Sequence, residues 1–130
     1  MKKAMRSVAA TVACVAAVGA VSAVTAQAST TKLSYNTTVG RFNGNGYTGY
    51  GKKTYSDRVA ELWSDTVGGN YGVDARPTHS TGNGRWQRVS DFTYRTWSNS
   101  YNAGDDIRIQ FSNDATTPVA VQVIGTWRSN

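Results

Sequence analysis

Three stretches of this chain alternate apolar and polar residues with a period of two, and that pattern restricts the fold more than any other feature. Lys32 to Val39 puts Leu33, Tyr35, Thr37 and Val39 on one side of an extended chain, with Lys32, Ser34, Asn36 and Thr38 on the other. Asp106 to Phe111 repeats the pattern with Ile107, Ile109 and Phe111, and Val119 to Val123 repeats it with Val119, Val121 and Val123. Successive side chains of a strand leave opposite faces of a sheet, so each stretch reads as a strand half-buried against a core. Asn, Asp and Pro in the Ser112 to Pro118 connection favour a turn, which predicts a hairpin between the last two strands. Gly125 then interrupts the final strand as a bulge would.

The middle of the chain carries weaker signals. Arg85 to Val89 and Asp91 to Trp97 read as strands, and Tyr71 to Arg76 as a shorter one stopped by Pro77. Over Thr54 to Trp63 a period of 3.6 fits better than a period of 2: Tyr55, Val59, Leu62 and Trp63 share a helical face, and Thr54 with Asp57 caps its start. A strand there would instead place Glu61 on one face with Val59 and Trp63. Gly40 to Gly51 is rich in glycine, and His79 to Gly84 is a polar loop; neither has the Gly-Lys-Ser/Thr ending of a phosphate-binding loop. The expected fold is a small single-domain all-β sandwich or barrel of about six or seven short strands, with one short helix near 54–63.

The first 28 residues stand apart from this pattern. Lys2, Lys3 and Arg6 form a cationic head, Ser7 to Ala20 is almost continuously small and apolar, and Ala26-Gln27-Ala28 has the small-x-small form of a cleavage site. Residues 1–28 thus read as a secretory signal peptide and the product as a secreted, extracellular protein. The alternative, a lipid attached at Cys14, suits the residues before it less well. No later segment approaches the roughly 20 apolar residues of a membrane span. Residues 29–51 read as an N-terminal strand with a glycine-rich tether, and 52–130 as a β-rich globular domain.

Removing 28 of the 130 residues leaves 102, one small domain, and takes away three basic residues and the single cysteine. The net charge falls from +6 to +3. So dispersed a charge argues against a nucleic-acid partner. Without a thiol the secreted domain has no disulfide and relies on core packing or on stability gained from a partner. All fourteen aromatic residues lie in it, and Tyr and Trp outnumber Phe. Rings with a polar tip suit a half-wet sheet face as well as a core.

Candidate chemistry is sparse. His79 is the only histidine, and a triad of His79 with Ser80 or Ser64 and Asp74 or Asp91 has no family signature around it, so His79 reads as an exposed loop residue. One histidine and no cysteine make a zinc site improbable. Glycoside hydrolysis needs two carboxyl groups across a cleft, whereas Glu61 is the only glutamate, and Asp57/Glu61 or Glu61/Asp65 read as solvated helix-face pairs. Asp105, Asp106, Asn113 and Asp114 lack the spacing of a calcium loop. No cofactor and no metal are expected.

Surfaces carry more information than motifs. The leading expectation is a non-enzymatic adaptor in an extracellular assembly, of the kind used between competing bacteria. Its terminal strand would be donated to a protein partner through Leu33, Tyr35, Thr37 and Val39. The second is a cell-wall or carbohydrate-binding module that stacks sugars on Tyr47, Tyr50, Trp86 and Trp97. A small secreted hydrolase is the third.

Overall fold

The alternating stretches become the strands of a β-sandwich. A computed structural model describes residues 27–28, 30–98 and 101–130. One sheet contains β2 (Leu33–Val39), β5 (Ala60–Val67), β9 (Thr93–Trp97) and β11 (Val121–Arg128), in the order β9-β5-β11-β2 with every neighbour antiparallel. The second is built around β10 (Asp106–Ser112). It pairs with β6 (Val73–His79) on one side and with β4 (Gly51–Lys52) and β3 (Asn45–Tyr47) on the other. The short strands β7 (Gly82–Asn83) and β8 (Gln87–Val89) pair with the two halves of β6. Most of the expected signal peptide lies outside the described residues, as does Cys14; its last two residues form β1 (Gln27–Ala28), parallel to β4.

The inward positions of the two sheets meet in one core. Val39, Leu62 and Trp127 from the first sheet and Ile109 and Phe111 from the second are among its fully buried side chains, each worth about 2 kcal/mol of apolar burial. Tyr35 reaches across, its ring centroid 5.2 Å from that of Phe111. The β2 alternation is therefore satisfied within the chain's own sandwich: all seven residues pair with β11, Tyr35 and Val39 are in the core, and Leu33 packs against it.

The glycine-rich segment is built into the second sheet rather than spanning a gap. Its residues supply β3 and β4, and between them Thr48 bonds β10 twice, by N–H to the Ile109 carbonyl (3.0 Å) and by Oγ1 from the Ile109 N–H (3.0 Å). Gly46 is required by close approach, since a β-carbon there would lie 2.7 Å from the Thr38 carbonyl oxygen.

Three local expectations are corrected. The last two strands do not form a hairpin: β10 and β11 lie in different sheets, and Ser112 to Pro118 forms part of the crossover between them. Their apolar residues face each other across the core, a relation that alternation cannot distinguish from pairing edge to edge. No helix forms over 54–63, where a turn precedes β5. Ala60 and Leu62 face inward and Glu61 and Trp63 outward, and the outer face accommodates the carboxylate that had argued against a strand. Finally, Pro77 does not stop β6. It sits between the residues paired with β8 and those paired with β7, where no partner needs its missing N–H, while its carbonyl accepts from Gly84 at 2.8 Å.

A bulge aligns the first sheet. Between Ile124 and Gly125 the β5–β11 register shifts by one, leaving Asp65 as the extra residue on β5. Without the shift Arg128 would stand opposite Leu62; with it, Arg128 stands opposite Glu61. A β-carbon on Gly125 would lie 2.1 Å from the Trp63 carbonyl oxygen, so the close passage admits only glycine.

Candidate ligand groove on the outer face of the second sheet

Inward residues of β10 and β6 build the core, so the residues between them form the outer face. Register sets Gln110 between Tyr47 and Arg76, and Arg108 opposite Thr78. These side chains, with Tyr50 and the β6–β7 hairpin, line a groove of about 410 Å³. The Arg108 guanidinium lies 4.0 Å from the Tyr47 ring centroid and 4.9 Å from that of Tyr50; Arg76 lies 4.2 Å from the ring of Trp86 just outside the groove. Each such contact contributes roughly 0.5–1 kcal/mol at an exposed site and holds the cation against a ring. Arg76 Nε donates to Gln110 Oε1 (2.9 Å), and Gln110 Nε2 donates to Asn45 Oδ1 (3.0 Å). A polar floor is thereby ordered between aromatic sides.

The carboxylates of this face have other partners. Asp106 pairs with Lys52 at 2.9 Å, Asp105 lies 3.7 Å from His79, and Arg88 takes Asp114 with two hydrogen bonds of 2.7 and 3.0 Å and stands 3.7 Å from Asp74. Among the described residues neither Arg76 nor Arg108 forms a salt bridge, and the groove lining contains no Asp or Glu.

Of the expected stacking residues, Tyr47, Tyr50 and Trp86 are exposed and lie along this face, whereas Trp97 is buried at 4 % exposure. Its Nε1 donates to the Arg85 carbonyl at 2.7 Å, and its ring belongs to the core cluster rather than to the groove. The four residues of the expected docking strand lie on the inward face of β2. His79 is not an exposed loop residue: it ends β6, half-buried, with Nδ1 2.7 Å from the Asp106 carbonyl oxygen and Nε2 towards Asp105. Nδ1 is thus engaged by the backbone, and Nε2 faces a carboxylate rather than a serine hydroxyl. Asp105 precedes β10 and Asp106 begins it, while Asn113 and Asp114 follow its end, roughly 20 Å away along an extended strand. No cluster of three metal-ligating side chains occurs among the described residues.

Arg76, Arg108 and Gln110 are not among the site residues expected from the sequence, although alternation around Ile107, Ile109 and Phe111 places Arg108 and Gln110 on an outer face. The outer face of the first sheet holds a second aromatic cluster. Trp63 lies 5.2 Å from Tyr94 and carries Lys32 at 4.0 Å, and Glu61 accepts from Tyr94 Oη (2.6 Å), Arg128 Nε (2.5 Å) and Asn130 Nδ2 (3.0 Å). No protein-family model matches this chain, no curated protein matches it, and no solved structure matches it.

Proposed function

We propose that the protein is a secreted, non-enzymatic binding module that holds carbohydrate in the groove of the second sheet. The observation that carries this reading is the convergence of Tyr47 and Tyr50 on a groove floored by Gln110 and Thr78, with Trp86 beside it. A ring face offers an apolar platform to the C–H face of a sugar, and the amide, hydroxyl and guanidinium groups around it meet hydroxyls. The groove supplies donors and rings rather than the facing carboxyl pair of a glycosidase. Secretion rests on the signal-peptide pattern of residues 1–28. The test is retention of the protein on isolated cell walls and on immobilised polysaccharides. Tyr50→Ala and Trp86→Ala are expected to lower retention at least tenfold without moving the unfolding midpoint; retention unchanged by both variants refutes the groove.

The adaptor reading keeps one specific observation. β2 is the edge strand of its sheet, so a partner strand can add along its free side without removing it from the core. Deleting residues 29–39 separates the two forms of this reading: a donated arm leaves a folded domain behind, whereas loss of an integral edge strand unfolds it.

A further inference from the structure

Building on the carbohydrate reading, we infer that the groove selects acidic saccharides, with Arg108 and Arg76 binding the anionic substituent while the rings beside them take the sugar. Carboxylates already surround the site, yet Asp106 is paired with Lys52, Asp74 and Asp114 stand with Arg88, and Asp105 accepts from the Asn102 N–H at 2.8 Å. Among the described residues the two guanidiniums that line the groove meet ring faces and one amide oxygen. A guanidinium placed against a ring keeps its full charge, and its planar N–H edge matches the two oxygens of a carboxylate or the oxygens of a sulfate. Stacking also limits its rotamers in advance, so less freedom is lost when the anion binds. A neutral glycan would leave both charges uncompensated beneath it; a uronate or a sugar sulfate would neutralise them. The shared chemistry is an anionic group on a polyhydroxylated ring.

Two pairs of polymers isolate the charge from the sugar: polygalacturonate against its methyl ester, and dextran sulfate against dextran. Binding of each to the full chain is measured by surface plasmon resonance at low and high salt. At least one charged polymer is expected to bind tenfold or more tightly than its neutral counterpart, and the preferred pair distinguishes carboxylate from sulfate. Arg108→Gln and Arg76→Gln should each remove most of that preference. Arg58→Gln, which deletes an exposed charge beside Tyr55 outside the groove, should leave it intact. Equal affinity within both pairs overturns the inference while leaving the carbohydrate reading standing. Equal loss from Arg58→Gln overturns it as well, because general charge attraction then accounts for the binding. If no polysaccharide in the set, charged or neutral, binds at all, the carbohydrate reading itself fails and this inference with it.

Discussion

Both sheets turn aromatic rings and arginines outward, but only the first has a carboxylate at the centre of the cluster. On that face Glu61 gathers Tyr94, Arg128 and Asn130 around Trp63. Burial acts to raise its pKa; the hydrogen bonds from Tyr94, Arg128 and Asn130 outweigh that effect and hold it below the ordinary glutamate range. The same bond raises the Tyr94 phenol, because ionisation would set two anions side by side. On the second face Arg76 and Arg108 have rings and an amide but no acid. Similar residue types thus make a closed structural latch in one place and leave two arginines without a carboxylate partner in the other. One carboxylate within reach decides which.

The severest way to break the comparison is to remove the alignment that closes the first face. Gly125→Ala forces a methyl group against the Trp63 carbonyl and is expected to cost about 3 kcal/mol, read as a lowered urea midpoint. An unchanged midpoint would show that the bulge does not set the pairing of Glu61 with Arg128. Next in size, Glu61→Gln leaves Arg128 without its anion and should cost about 2 kcal/mol, whereas Arg108→Gln, which gives up only its two ring contacts, should cost about 1 kcal/mol. Equal losses on the two faces would end the distinction between the latched and the open cluster.

Acid sharpens the contrast further. Because the folded pKa of Glu61 lies below its unfolded value, its contribution is fully present above the unfolded pKa and is lost as pH falls through the folded one. Denaturation midpoints measured from pH 6 down to pH 3 should therefore fall less steeply in Glu61→Gln than in the parent protein, while Arg108→Gln keeps the parent slope. Alkali probes the core between the faces, where burial pushes the Tyr35 phenol up to about 12. A raised folded pKa means that stability holds below the unfolded value near 10 and is lost as pH rises towards 12. Tyr35→Phe should reduce that alkaline loss.

The smallest effect separates the two tyrosines. Tyr94→Phe removes a bond of 2.6 Å to Glu61 and should cost about 0.5 kcal/mol, discounted because the ring is half-exposed; Tyr47→Phe should change stability by no more than a few tenths of a kcal/mol. Matched unfolding curves of the two variants decide it.

Much of this architecture is legible in the sequence because a strand's period of two is a local property. Leu33 to Val39 and Asp106 to Phe111 show which side chains face the core without reference to anything distant. Over Thr54 to Trp63 local alternation is insufficient, because the residues that make Glu61 acceptable on a strand face, Tyr94, Arg128 and Asn130, lie 33 to 69 residues away. The groove was half legible. Tyr47, Tyr50 and Trp86 stood out as rings among polar residues, but Trp97, with the same appearance, is core.

By itself the sequence determined an all-β chain, the inward faces of its main strands and an interruption at Gly125, because pleating and the space around a backbone act over neighbouring residues. Tertiary structure alone decided which sheet each strand joined, since two apolar strands satisfy alternation equally well edge to edge or across a core. It also decided the fate of identical neighbours: Lys52 reaches solvent and pairs with Asp106, while Lys53 is buried with its ammonium on the carbonyls of Arg58 and Ser129. Burial draws the Lys53 pKa below the usual lysine range, with Asp57 opposing it. Whether an arginine is neutralised or left open depends in the same way on which carboxylate the fold brings within 4 Å, and the range of that interaction in space bears no relation to separation along the chain.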